Sequence, residues 1–341
     1  MGFAWFPKSS KVVSWAAPNP TSDVCVLTGI PRSHAVVGDM IADAIGAKRC
    51  KNMFDCSGCR YVIYFDNLHW QTRSVVTFLR PERTILYMVA EGPSTIRLTT
   101  PFDRVIGKVK AIVAPSKFSA EFLNDALKPV NRQVDIIIPH GIRIPDKVRP
   151  INEKKGMLYR TYYMKRKFPG YGIEAVLKFH ELHPDYPIDI LVPGGPMDII
   201  YVVKAIPFSK VTGDLPYEKV EELYDTHRFW LNLSDNEGFG IMPIEAMAHG
   251  EVVIAAGIPT IAETVPSDSN FIIPVDGTWE EPWGYLNIRH YKYRAEDMVE
   301  AMERAINTPE AVLEEYSRRN VEWAKQFDYK KVYSRFLELI K

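Results

Sequence analysis

The stretch Ser234-Asp-Asn-Glu-Gly-Phe-Gly-Ile-Met-Pro-Ile-Glu-Ala-Met-Ala-His-Gly250 sets two glutamates around a glycine-flanked turn inside an otherwise apolar run. The segment before it, Phe229-Trp-Leu-Asn-Leu-Ser234, has the aromatic and branched composition of a buried strand, and 235–240 has that of a loop. Pro243 suits the first turn of a helix, where its missing N–H costs nothing. That helix carries Ile244, Met247 and Ala248 and stops at Gly250; Val252-Val-Ile-Ala-Ala256 reads as the next strand. Strand, loop, helix and strand in this order make a βαβ unit of a parallel sheet.

In such sheets ligands gather at the carboxyl ends of the strands, where loops meet the positive ends of helices. Glu237 lies in that loop. Glu245 lies in the first turns of the helix, where the dipole favours a carboxylate. Each acid alone would also suit a solvated position; together they are two acceptors able to grip hydroxyls. Gly238 and Gly240 would let backbone approach a ligand closely.

The whole string from Glu237 to Gly250 resembles the Glu, seven residues, Glu signature of the retaining, nucleotide-sugar-dependent glycosyltransferases of family four. Lys110-Ala-Ile-Val-Ala-Pro-Ser-Lys-Phe-Ser-Ala-Glu-Phe-Leu123 is similar to that family's last amino-domain strand and helix, and Ile136-Ile-Ile-Pro-His-Gly-Ile142 to its entry into the hinge. Residues 327–339 are similar to its closing helix. The resemblance runs from about residue 110 to the end and implies an α/β fold of GT-B type. That fold has two Rossmann-like domains facing each other across a cleft, with a carboxyl-terminal helix crossing back to the amino-terminal domain. The expected divisions are 1–143 for the acceptor-side domain, 144–155 for the linker, 156–326 for the nucleotide-sugar domain and 327–341 for the returning helix.

A chain of 341 residues suits two cores. Lys+Arg and Asp+Glu both number 42, which gives no global pull toward nucleic acid or acidic lipid. No apolar run is long enough to span a bilayer, and the start lacks the apolar length of a signal peptide. The expectation is a cytoplasmic protein, with Trp5, Phe6, Lys8, Lys11 and Trp15 available for peripheral contact at the inner membrane surface.

Cys25, Cys50, Cys56 and Cys59 all fall in the first sixty residues. Reduced buried thiols are the default reading. A structural zinc would need Cys25 to join the Cys50 to Cys59 cluster. Disulfides are the third reading, because only three glutamines occur and such depletion accompanies growth at high temperature.

The first half alternates apolar strands (23–28, 61–65, 84–89, 111–114) with helical segments, one of them 35–45 stopped by Gly46. The resembled family carries a glycine-rich turn after its first strand, for which Gly29-Ile-Pro-Arg-Ser33 is the nearest candidate. It also carries a histidine at the end of an amino-domain strand; Glu91, after the strand 84–89, or His69 would stand there.

In the second half, 156–163 reads as a strand and 172–182 as an amphipathic helix, with Met164-Lys-Arg-Lys-Phe-Pro-Gly170 between them. Breaking a bond to a nucleoside diphosphate develops negative charge, which fixed cations stabilise. By resemblance Arg160 and Lys165 are the diphosphate cations, with Lys167 as the alternative lysine and Arg166 in reserve. Gly194, after the strand 188–192, and Thr212-Gly213, in the segment 211–224 that is similar to the family's strand and helix before the signature, are candidate donor contacts. The segment 276–294, longer and more aromatic than the family norm, would clamp an acceptor or cover a sheet edge.

The resemblance thus implies transfer of a hexose from a UDP- or GDP-sugar to a glycan, protein or lipid acceptor. Glu245 would hold the ribose. Glu237 would orient the sugar, together with the N–H groups of Phe239, Gly240 and Ile241, without acting as a covalent nucleophile. No metal and no cofactor are expected, and no Asp-x-Asp cluster lies near the site. Two other classes share these residues: a nucleotide-sugar epimerase, and a non-catalytic sugar-binding or structural protein of the same fold.

Overall fold

A computed structural model describes residues 23–29, 32–68, 71–94, 98, 100–162, 164–193, 198–283 and 286–340. The membrane-contact candidates Trp5, Phe6, Lys8, Lys11 and Trp15, and also His69 and Gly194, lie outside these residues. Among the described residues no helix is long and apolar enough to cross a membrane.

Two six-stranded sheets form the framework. The first contains β1 (Val24–Thr28), β2 (Lys48–Arg49), β3 (Tyr61–Asn67), β4 (Thr84–Val89), β5 (Ala111–Ala114) and β6 (Ile136–Ile137), in the order β2-β1-β3-β4-β5-β6 with every pairing parallel. Its inner strands β1, β3, β4 and β5 are apolar on both faces over their central residues, as a sheet covered on both sides requires. Val62 and Tyr64 of β3 enter one core, while Ile63 and Phe65 enter the other. Helices α1 (Arg32–Ile45), α2 (Thr72–Leu79) and α3 (Lys117–Leu127) supply the covering layers.

The second sheet contains β7 (Met157–Arg160), β8 (Ile188–Val192), β9 (Lys210–Val211), β10 (Phe229–Asn232), β11 (Val252–Ala256) and β12 (Phe271–Ile273), in the order β12-β11-β10-β7-β8-β9, again all parallel. Around it run α4 (Gly170–Leu182), α5 (Asp198–Ala205), α6 (Tyr217–Thr226), α7 (Ile241–Ala248), α8 (Pro259–Thr264), α9 (Ala295–Ile306) and α10 (Glu310–Ala324). Met298, Ala301, Met302 and Ala305 face this core from α9, as their helical spacing predicts.

The chain then returns to the first domain. Ile142 donates its N–H to Phe327 O (2.8 Å), and Tyr329 donates its own to Ile142 O (2.9 Å). Helix α11 (Tyr329–Tyr333) lies against α1, with Tyr329 Oη donating to Asp43 (2.6 Å). Tyr333 and Phe336 are fully buried beside Tyr87 of β4.

The segment 276–294 is a hairpin, β13 (Gly277–Trp283) and β14 (Leu286–Lys292), that bridges the halves. It gives N–H groups to Pro93 O (Asn287, 2.9 Å) and Glu91 O (Arg289, 3.2 Å) on one side and to Asp235 O (Tyr291, 2.9 Å) on the other. The four cysteines are paired in the first domain as Cys25–Cys59 and Cys50–Cys56, with Cα separations of 6.0 Å each, and not free as the default reading has them.

Candidate active site

The loop between β10 and α7 lies at the carboxyl end of the second sheet and is buried along its length. Two glycines shape it. Gly240 adopts φ +86° as the residue before α7, and no side-chain cap closes that helix end. A Cβ on Gly238 would stand 2.6 Å from Val89 Cγ1 and 3.2 Å from Glu91 Cγ, so only glycine lets the loop press on the end of β4. Ser116 and Ser119 of the first domain both direct hydroxyls at Gly238 O (3.3 and 3.2 Å).

The loop brings Glu237 to two cations from the turn after β7. Glu237 is ion-paired with Lys167, and its other oxygen lies 4.0 Å from Arg166. Arg166 also donates to Glu91 (2.8 Å) and to Asn236 O (3.1 Å). Two cations and two anions thus close a buried, neutral set across the halves. Burial acts to raise the Glu237 carboxyl, but the Lys167 ammonium and Arg166 guanidinium outweigh it and hold it below the ordinary glutamate value. Burial also draws the Lys167 ammonium down from its usual value, against the opposing charge of Glu237.

Glu245, in α7, accepts from Tyr224 Oη (3.0 Å). Its carboxyl is raised to about 7, first by burial and then by Glu221, while the Tyr224 bond and the charges of Arg160 and Arg143 pull the other way. Arg160 ends β7 beside it. Three polar atoms here are buried with no hydrogen-bond partner among the described residues: Arg160 Nε, Arg166 Nε and Asn236 Oδ1. Buried polar atoms are rarely left unpaired, so the region suits a polar ligand.

The remaining candidates fall as follows. Lys165, on the same turn as Arg166 and Lys167, points outward and binds Glu281 of the hairpin (2.7 Å). Thr212 follows β9, donating its N–H to Val192 O (3.1 Å), and Gly213 turns with φ +63° into open space. Phe239 buries its ring against His140 (centroids 5.1 Å apart), leaving its backbone to the site. Ile241 is half-buried at the head of α7. Glu91, expected where relatives carry a histidine, is tied to Arg166 as described.

Some residues were not anticipated. Asp235 accepts from Tyr171 Oη (2.6 Å) and pairs with His290 Nδ1 (2.7 Å), which locks the hairpin to the loop. Asn236 Nδ2 donates to both Glu91 O (2.7 Å) and Arg289 O (2.9 Å). On the first domain, Gly29 packs over Asp66, which lies 3.6 Å from His34 Nδ1. His140 bonds Tyr87 Oη (2.7 Å), and burial, followed by the nearby His34, pushes it down to about 3, so it is neutral. Asp235 and Asn236 stand inside the quoted stretch; their partners are remote in sequence and carried no signal.

Comparison with known proteins bears on the same region. Residues 149–282 match the family described as glycosyl transferases group 1. A protein described as uncharacterized glycosyltransferase 335 of Sulfolobus islandicus rod-shaped virus 1 is 25% identical over 279 residues, covering 75% of this chain and 79% of that one. Among solved structures, a glycosyltransferase from Rickettsia africae aligns with TM-score 0.67 at 14% identity, covering 93% of this chain and 98% of that one. A UDP-forming trehalose-phosphate synthase from Burkholderia xenovorans aligns with TM-score 0.62 at 12% identity, covering 92% and 80%. TarM of Staphylococcus aureus, in complex with UDP among other ligands, aligns with TM-score 0.59 at 13% identity; the match covers 82% of this chain but only 55% of TarM. This chain has the GT-B fold, and Glu237, Glu245 and their cations lie within the residues that match the glycosyl transferases group 1 model.

Proposed function

We propose that the protein is a retaining glycosyltransferase that moves a hexose from a UDP- or GDP-sugar to a glycan, protein or lipid acceptor, without a metal at the donor. The observation that carries this reading is the buried set of Glu237, Lys167, Arg166 and Glu91, placed beside Arg160 and Glu245 at one sheet end. Arg160, Arg166 and Lys167 would balance the diphosphate as the bond from the anomeric carbon to phosphate oxygen breaks. The acceptor oxygen bonds to that carbon on the face the phosphate leaves, and its proton passes to the departing phosphate. Glu237, already held by cations, positions the sugar and is not the nucleophile. Glu245 accepts from the ribose hydroxyls. The relatives' UDP complexes support the donor class, and the cytoplasm is the proposed compartment.

Thermal shift with a panel of UDP-, GDP- and ADP-sugars tests this. A donor at a hundredfold excess over its Kd stabilises the fold by about 2.7 kcal/mol. Slow hydrolysis of that donor should disappear in Glu237→Ala and proceed unchanged on adding magnesium or manganese. No shift with any nucleotide sugar would overturn the proposal, and interconversion of the free donor would mark an epimerase.

A further inference from the structure

We propose that the four cysteines of the first domain, in the reduced protein, hold one structural zinc ion. The condition set by the sequence is met, because Cys25 joins the cluster. Cys25 comes from β1, Cys50 follows β2, Cys56 ends the turn Met53–Cys56, and Cys59 precedes β3. All four are buried, and the sulfurs of Cys25, Cys50 and Cys56 lie within 4.8 Å of one another, with Cys59 paired to Cys25. A tetrahedral zinc with bonds of about 2.3 Å brings its sulfurs to roughly 3.8 Å apart. Two separate disulfides have no need to converge in this way.

The surrounding charge points the same way. Arg83 donates to Cys59 O (2.7 Å) and Ser57 O (3.2 Å), Arg49 to Cys50 O (2.8 Å), and Lys48 to Asp55 O (2.9 Å). Three cationic side chains therefore hold the carbonyls of the loop that carries the sulfurs. Zinc with four thiolates has a net charge of minus two, which Arg83 and Lys48 offset together with Arg49, itself shared with Asp39 (2.9 Å); neutral disulfides create no demand for such cations. The loop is also pinned in shape, with Asn52 accepting from Phe54 N (2.9 Å) and Asp55 N (3.1 Å). Beyond one turn of helix, 50–60 has no regular structure, so a metal cross-link there would fix a loop that no regular secondary structure holds.

The two states interconvert by balanced steps. Reducing both disulfides takes four electrons and four protons from a dithiol reductant, and zinc binding then releases the four thiol protons. The site lies in the first domain, away from the loop of Glu237, so its role is structural and independent of the proposed transfer.

The test uses the full chain, reduced and kept anaerobic, titrated with cobalt(II) and then zinc. The expected result is one equivalent of cobalt with the intense thiolate-to-metal absorption of a tetrahedral site, displaced by one equivalent of zinc. The metal should be released stoichiometrically as a mercurial titrates the four thiols. Cys56→Ser and Cys59→Ser should each lose the cobalt spectrum while keeping donor-induced thermal shifts. A reduced chain that takes up no cobalt, or a spectrum unchanged in both variants, overturns the proposal.

Discussion

Lys167 and Glu237, seventy residues apart in sequence, form a buried ion pair that joins the turn after β7 to the loop before α7. Each is less than a tenth exposed. Removing Lys167 leaves Glu237 with only Arg166, 4.0 Å away and shared with Glu91, and breaking a buried pair in this way typically costs about 3–5 kcal/mol. Lys167→Met should therefore lower the urea midpoint sharply. Lys167→Met with Glu237→Gln should recover part of the loss, and additive effects in that double-mutant cycle would refute the coupling.

Donor affinity should depend on pH through Glu245. Its carboxyl titrates near 7 in the folded protein, well above the usual glutamate value. In its proposed role as ribose anchor, Glu245 accepts hydrogen bonds from hydroxyls best as a carboxylate, so nucleotide binding should draw its proton off. Affinity should fall as pH drops through 7, and Glu245→Gln should flatten that profile while binding more weakly at pH 8. Calorimetric Kd values at several pH values, in buffers of different ionisation enthalpy, would check both.

Gly238→Ala should loosen the contact between the halves. Its methyl would sit 2.6 Å from Val89 Cγ1 on a buried strand end that has little room to shift. Overpacking of this kind costs about 1–3 kcal/mol. Adding Val89→Ala should restore part of the melting temperature, and failure to do so would place the cost elsewhere.

His290→Phe should destabilise the hairpin and the loop together. Asp235, 1% exposed, would keep only Tyr171 as a side-chain partner. The expected loss is about 2 kcal/mol or more, because a buried polar group is left short of partners. His290→Asn, which preserves a donor, should lose less. Hydrogen exchange at the Tyr291 and Arg289 amides would report the local opening.

The βαβ unit around residues 229–256 was legible because its elements are local: apolar strands, a glycine turn and a helix with proline in its first turn appear in contiguous residues. The same holds for β3, β4 and β5, whose central residues are apolar on both faces. The hairpin was not legible. Gly277–Trp283 is largely exposed on one strand and has no apolar alternation to announce it; its order comes from Glu91, Pro93 and Asp235, distant in the chain. The cations show the same limit. Lys165, Arg166 and Lys167 are adjacent, and the resemblance set Lys165, with Lys167 as the alternative, beside Arg160, yet the turn aims Lys165 at Glu281 and the other two at Glu237 and Glu91.

By itself, then, the sequence determined the parallel α/β class and the local setting of Glu237 and Glu245, one in a loop and one in the helix after it, since periodicity and glycine placement are properties of neighbouring residues. Tertiary structure decided which cations face the carboxylates, which residues bridge the halves and how the four sulfurs meet. Those outcomes depend on the direction of side chains brought together from separate segments, where burial and charge balance act between residues that no local pattern connects.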